Sequence, residues 1–241
     1  MGDAFIFMSY EYDMAVIGAG AAGLTAAGMA ALLGARTALI EGRRLGGDCT
    51  WAGCVPSKTL LRVSKIAHQI QTASRFGVTA AQTQIDFARV MNHVRQTRQH
   101  IYGGFDAPPH MVNLGVEVIV GNARFCNPHT LEIRNESDVL RRLTSRFFVI
   151  AAGSRPKLPA FSELVLTNES IFELESQPMR MLIMGAGPVG IEMAQAFTRL
   201  GSEVTVVAPG DRILPRDDPE QAHSLQQCLD REGIGFILGQ Q

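Results

Sequence analysis

The sequence predicts an α/β fold, and three observations predict it. A short apolar strand, a glycine-rich turn and an alanine-rich helix follow one another near the start. The same succession returns about three quarters of the way along the 241 residues, without a gap in the alignment of the two. Between them lie two amphipathic helical segments and then a run of short strands.

The first succession reads Met14-Ala-Val-Ile-Gly18-Ala-Gly20-Ala-Ala-Gly23, and the second Met181-Leu-Ile-Met-Gly185-Ala-Gly187-Pro-Val-Gly190. The register persists: Gly34 lies 16 residues after Gly18 and Gly201 lies 16 after Gly185, each followed by an apolar strand, Thr37 to Ile40 and Val204 to Val207. In a Gly-x-Gly-x-x-Gly turn the first glycine makes the tight turn, the second lets backbone approach a pyrophosphate, and the third lets helix and strand pack closely. The helix N-terminus then offers its positive dipole end to phosphate. Two such turns in register imply two Rossmann-like dinucleotide-binding units, joined by a β-meander.

The two units differ where a ribose is read. Glu41 ends the second strand 23 residues after Gly18, where a carboxylate accepts from ribose hydroxyls, whereas the same offset from Gly185 lands on Ala208. A ribose bearing a 2′-phosphate tolerates that loss. Arg212 or Arg216 supplies a countercharge, which leans the second site towards NADPH over NADH; the alternative is that both arginines are solvated loop residues.

Between the fingerprints, Leu60, Val63, Ile66, Ala67, Ile70 and Ala73 fit one helical face, and Phe87, Val90, Met91, Val94 and Ile101 another, with Asp86 as N-cap. From Gly115 to Ile150 short strands are broken at Gly121-Asn122, Asn127-Pro128 and around Asn135 to Asp138. Phe147 to Ala151 is an apolar strand closed by Ala152-Gly153-Ser154-Arg155-Pro156. These signals divide the chain into residues 1–155, a connector 156–178, and a second domain 179–241. The last contains a helix Pro219 to Glu232 and a strand Gly235 to Leu238, fewer elements than a doubly wound domain needs. The second unit reads as incomplete, and the chain as the N-terminal portion of a longer architecture.

Charge and composition narrow the partners. Lys+Arg at 22 against Asp+Glu at 23 give a formal net charge of −1, with no basic field for a nucleic-acid backbone or an anionic membrane. Met14 to Ala35 runs 22 residues without a charge, but its five glycines and nine alanines belong to the glycine turn and its helix. No basic start precedes it, as a secretory leader would require. The expectation is a soluble cytoplasmic protein.

Chemistry is concentrated in Gly46-Gly47-Asp48-Cys49-Thr50-Trp51-Ala52-Gly53-Cys54-Val55-Pro56-Ser57-Lys58. On an ideal helix residues five apart point about 140° from each other, so joining Cys49 to Cys54 needs a distorted first turn, which Gly53 and Pro56 suit. A thiol at a helix N-terminus is expected to have a lowered pKa. Three readings stand: a redox disulfide, half of a metal site, or two buried structural thiols. The metal reading lacks a second Cys/His pair at ligand spacing, His68 being the only histidine nearby. No metal ligand is assigned, and Cys126 and Cys228 are expected to be inert.

Together these motifs, in order and over essentially the whole chain, resemble the FAD-dependent pyridine nucleotide-disulfide oxidoreductases, which include dihydrolipoamide dehydrogenase, glutathione reductase and mercuric reductase. The resemblance implies FAD on Gly18, Gly20, Gly23, Glu41, Gly46, Gly47 and Gly153, and NAD(P)H on Gly185, Gly187 and Gly190. It implies that Cys54 is the thiol lying against the flavin and Cys49 the thiol that meets the substrate. Lys58 would stabilise charge near flavin N5 and is expected to pair with Glu192, the alternative being that Glu192 merely favours its helix dipole. The implied activity is electron transfer from NAD(P)H through FAD to a Cys49-Cys54 disulfide and on to a small-molecule disulfide or Hg(II), in a homodimer when full length. Three departures stand out: Asp48 where many members have threonine, Thr50-Trp51-Ala52 between the cysteines, and no C-terminal His-Glu pair. The rival expectations are an inactive FAD-binding fragment and a diaphorase-type flavoprotein without disulfide turnover.

Overall fold

A computed structural model describes residues 9–79, 84–136, 138–158 and 165–239. Residues 159–164 of the expected connector lie outside these. The chain divides into two compact units, one formed by residues up to Cys54 with Arg98–Glu169, the other by Val55–Thr97 with the residues from Ser170 onward.

The first unit opens with β1 (Tyr12–Ile17), the glycine turn, α1 (Ala21–Leu32) and β2 (Thr37–Glu41). The uncharged run is therefore a strand, a turn and a helix, and no helix among the described residues is long and apolar enough to cross a membrane. Strands β3 (Val116–Val120), β4 (Asn122–Asn127), β5 (Thr130–Arg134) and β6 (Val139–Ile150) complete a six-stranded sheet in the order β3-β2-β1-β6-β5-β4. The parallel part is β3, β2, β1 and the end of β6; the antiparallel meander is β4, β5 and the start of β6. A twelve-residue β6 thus serves both. Each break expected from sequence falls between two strands. The sheet is covered on one side by a core of Val16, Ala19, Ala27, Leu39, Leu45, Met111 and Val116. Leu131, Ile133 and Leu143 join Tyr12, Ala15, Ala38 and Ile40 in another.

Two short helices, α2 (Gly47–Trp51) and α5 (Pro108–Asn113), belong to this unit, while α3 (Cys54–Thr72) and α4 (Phe87–Ile101) begin and end at its border. Asp86 caps α4 by accepting from the Arg89 amide at 3.0 Å. The apolar faces of α3 and α4 are narrower than the periodicity suggests: Leu60, Ala67, Phe87, Met91 and Val94 are buried, but Ile66 and Ile70 stand 43% and 39% exposed. A 3.6-residue period fixes one seam, and on α3 that seam runs through Pro56, Ser57, Leu60, Ser64 and Ala67.

The second unit contains β7 (Arg180–Met184), α6 (Pro188–Arg199), β8 (Glu203–Ala208), α7 (Pro219–Arg231) and β9 (Gly235–Leu238), with a parallel sheet in the order β7-β8-β9. Its core joins Leu60, Phe87, Met91 and Val94 to Ile191, Phe197, Val204, Val206 and Leu229. Helices α3 and α4 therefore contribute to the apolar core of the C-terminal unit, although in sequence they follow the first fingerprint.

Candidate active site

The first glycine turn is built by steric necessity. Gly18 has φ +99°, and a Cβ there would fall 2.2 Å from the Ala151 carbonyl oxygen; a Cβ on Gly23 would fall 1.7 Å from the Gly18 carbonyl oxygen. No side chain caps α1 at Gly20, and no acid occupies its first turn. The helix amides and dipole are thus open to an anion. Beside the turn, Glu41 accepts from the Ala19 amide at 2.7 Å through one carboxylate oxygen and from the Arg43 amide at 2.8 Å through the other. Each oxygen keeps a second lone pair for a ribose hydroxyl, so the carboxylate is held in place before any ligand arrives. These residues fit the adenosine and pyrophosphate of a dinucleotide.

The loop after β2 returns to this turn, with the Gly46 amide donating to the Ala19 carbonyl at 2.9 Å. Gly46 is then the left-handed N-cap of α2, φ +96°. Helix α2 packs on the turn so closely that a Cβ on Gly47 would come within 2.5 Å of the Gly20 Cα. Asp48, in the first turn of α2, accepts from the Asn168 amide group at 2.8 Å. The acid that replaces the commoner threonine is thereby engaged.

Helix α2 ends at Ala52, φ −137° and ψ 0°, and α3 begins at Cys54. This break is what lets residues five apart face each other. It requires Gly53, whose Cβ would stand 3.0 Å from the Asp48 carbonyl oxygen and 3.4 Å from the Cys49 Cα. Pro56 sits in the first turn of α3, where no amide is missed. Cys49 and Cys54 are thiols in side-chain hydrogen-bond contact, Cys49 half-buried and Cys54 exposed. Among the described residues no group of three or more His, Cys, Asp or Glu gathers that could hold a metal.

One expectation is corrected here. The helix position alone suggests a lowered thiol pKa for Cys49, but the thiol is pushed up to about 11. Burial is the main cause, followed by the side-chain hydrogen bond and charge of Cys54; a backbone hydrogen bond with Cys54 works the other way, and the carboxylate of Asp106 adds the smallest rise. Helix α2 has only five residues, too few for a large macrodipole to offset them.

Trp51 packs under this segment. Its indole donates to the Leu45 carbonyl at 2.7 Å, the Arg98 guanidinium donates to the Trp51 carbonyl at 2.8 Å, and Arg44 lies 3.7 Å over its ring. The tryptophan is structural support for the cysteine turn. The composition alone offered no signal for this role.

In the second unit Lys58 and Glu192 meet, the ammonium donating to both carboxylate oxygens at 2.6 and 2.8 Å. Glu192 lies beyond the first turn of α6, which carries no acid, so the ion pair and not the dipole accounts for it. Lys58 is one helical turn beyond Cys54 on α3.

The second glycine turn repeats the first. Gly185 has φ +110°, and a Cβ on Gly190 would fall 2.1 Å from the Gly185 carbonyl oxygen. Ala208 ends β8 and is buried, in the place corresponding to Glu41. Arg212 differs from the expectation. Its guanidinium donates to the Asp217 and Pro215 carbonyls at 3.0 and 2.8 Å, so it closes its own loop. Arg216 remains as an exposed cation in that loop.

A family model described as pyridine nucleotide-disulphide oxidoreductase matches residues 12–241. The chain belongs to the pyridine nucleotide-disulphide oxidoreductase family. This is a family of NAD(P)H-dependent FAD enzymes. The chain is 34% identical to a mercuric reductase of Bacillus cereus over 96% of its own length and 36% of the relative's. It is 33% identical to a dihydrolipoyl dehydrogenase of Bacillus subtilis (strain 168), over 96% of this chain and 51% of that one. A glutathione reductase of a Nostoc species is 32% identical over 95% of this chain and 49% of that one. The chain therefore spans about a third to a half of the length of these relatives.

Proposed function

We propose that this chain carries the electron-transfer portion of an NAD(P)H-dependent flavoprotein, in which electrons reach the Cys49-Cys54 pair and pass to a disulfide substrate or to Hg(II) as substrate. The observation that supports this most is the contact of two thiols five residues apart on a segment seated against the first glycine turn. Glu41, the Gly18-Gly20-Gly23 turn and the amides of α1 would hold FAD, with Gly46, Gly47 and Gly153 in the adjoining backbone. Bound there, FAD supplies the two-electron chemistry that side chains lack.

The thiols do the rest. Cys49, as thiolate, attacks one sulfur of the substrate disulfide and expels the other half as a thiol. Cys54 then attacks the Cys49 sulfur of the mixed disulfide, closing the Cys49-Cys54 bond and releasing the second thiol. The two hydrogens of the reduced pair leave on the two products. Lys58, oriented by Glu192, holds a positive charge one turn from Cys54, where negative charge collects on reduction. The Gly185-Gly187-Gly190 turn would hold the nicotinamide dinucleotide. With Ala208 in the ribose position and Arg216 in the following loop, NADPH is the favoured form. The same reading takes the substrate as a small molecule, the setting as cytoplasmic without a membrane or nucleic-acid partner, and the full-length protein as a homodimer.

The test is spectroscopic. The purified chain should retain yellow colour and, on two-electron reduction, show a long-wavelength band that disappears in Cys54→Ser. Colour without the band would mark a diaphorase without disulfide turnover. A colourless preparation would mark a fragment that does not hold FAD.

A further inference from the structure

An ionisable side chain that neither cysteine-bearing helix supplies reaches α2, the helix of Cys49. Helix α4 runs directly into a π-helical turn, Tyr102–Asp106, after which the backbone turns extended at Ala107 ahead of Pro108 and Pro109. Such turns redirect side chains and are frequent at functional sites. Here the turn aims Asp106 at α2. The Thr50 hydroxyl donates to the Asp106 carboxylate in a short hydrogen bond. The same carboxylate oxygen lies 3.1 Å from the place of a Cβ on Gly46, the N-cap of α2. Thr50 is buried and follows Cys49 directly. A carboxylate is thus clamped to the helix that bears the first thiol.

The groups around Cys49 make that charge count. Cys54 at the head of α3 is hydrogen-bonded to it, and Asp106 acts on it through charge from the π turn, held one residue away at Thr50. On its own helix Asp48 is held by Asn168. The nearby cations are engaged with Trp51, Arg98 through the carbonyl and Arg44 through the ring. Negative charge beside a thiol disfavours the thiolate.

We propose that Asp106 is a positioning residue for Cys49, fixing α2 through Thr50 and keeping the Cys49 sulfur protonated in the reduced chain until a base or substrate draws the proton away. The inference rests on the thiol relay proposed above, and it adds to that relay a group from the same chain that governs when the substrate-facing sulfur becomes a nucleophile. The raised Cys49 thiol agrees with it.

The test needs neither flavin nor nicotinamide. The reduced full chain is alkylated with iodoacetamide across a range of pH, and Cys49 modification is followed by peptide mass spectrometry. Asp106→Asn removes the charge but still accepts the Thr50 hydroxyl; Thr50→Val removes the hydrogen bond and keeps the charge. The expected result is that Asp106→Asn moves the Cys49 midpoint down by about 0.3 pH unit, roughly twofold faster alkylation at neutral pH. Thr50→Val should speed alkylation with a smaller movement of the midpoint. A folded Asp106→Asn chain with an unmoved Cys49 midpoint overturns the proposal, as does an equal speeding at every pH in both variants. If the variants do not fold, the unsubstituted chain decides: its Cys49 midpoint must lie above that of the same residue in the chain unfolded by urea, and equality overturns the proposal. Failure here leaves the relay standing, and loss of the long-wavelength band with this midpoint intact leaves the role of Asp106 standing.

Discussion

The two glycine turns share a backbone scheme and differ in what is attached to it. The Gly18 amide donates to the Ile40 carbonyl at 2.8 Å, and the Gly185 amide to the Val207 carbonyl at 2.8 Å. The loop after the second strand returns to the turn in both, Gly46 to Ala19 at 2.9 Å and Leu214 to Ala186 at 2.8 Å. Even the left-handed residue recurs, as Gly46 in one and as Leu214, φ +46°, in the other. Beyond that point the loops diverge: one starts the helix that bears Cys49, the other is closed by Arg212. The same glycine-turn frame thus leads into the cysteine-bearing segment in one unit and into a plain loop in the other.

They differ also in closure. In the first unit β1 is flanked by β2 and β6, and the Gly18 position is backed by Ala151. In the second unit β7 pairs only with β8 among the described residues, nothing lies within 4 Å of a Cβ on Gly185, and Leu182 and Met184 are 65% and 61% exposed. Gly18→Ala and Gly185→Ala separate conformation from closure. Both meet the strain of positive φ, about 1–2 kcal/mol, but only the first adds a backbone clash, for a further ~1–3 kcal/mol. Urea unfolding of the two variants should show the larger loss for Gly18→Ala; equal losses would break the comparison.

The ribose carboxylate gives the next largest effect. Glu41→Gln replaces two charge-assisted acceptors of backbone amides and should cost about 1–3 kcal/mol in FAD affinity, read by flavin release on dilution. Its mirror, Ala208→Glu, should raise the preference of the second site for NADH over NADPH by about tenfold. An unchanged preference would separate the two sites more deeply than their glycines suggest.

The thiol pair predicts an alkaline pH dependence in the first unit. Cys49 has an ordinary thiol value of 9.0 and is raised to about 11. The folded state therefore holds the proton more tightly, and the stability is fully present below pH 9. It is lost as pH rises towards 11, by an amount on the order of 1 kcal/mol, solvent screening at this partly exposed thiol keeping it small. Chemical denaturation of the reduced chain at pH 8 and pH 11 measures it, and Cys49→Ser should flatten the difference. The smallest effect belongs to the ion pair of the second unit. Lys58 is 62% exposed on its side chain and Glu192 33%, so Glu192→Gln should change stability by less than about 1 kcal/mol, while a change in the long-wavelength band would place the pair in the relay.

Local signals carried much of this. Both glycine turns, the Asp86 cap, Glu41 at its strand end and the need for Gly53 between the cysteines could be read from a few consecutive residues. The Lys58-Glu192 pair was legible only through family resemblance, because 134 residues separate its members. Ile66 and Ile70 misled, since periodicity shows that a helix has an apolar side but not how wide a strip its neighbours cover.

What the sequence determined by itself is the frame: where the chain must turn with positive φ, where helices start, and which two sulfurs lie on adjoining turns. Those follow from sterics and capping within a few residues. Tertiary structure alone decided how tightly Cys49 holds its proton and that Asp106 reaches Thr50, 56 positions earlier. Burial and charge depend on which distant segments pack together, and no local pattern contains that.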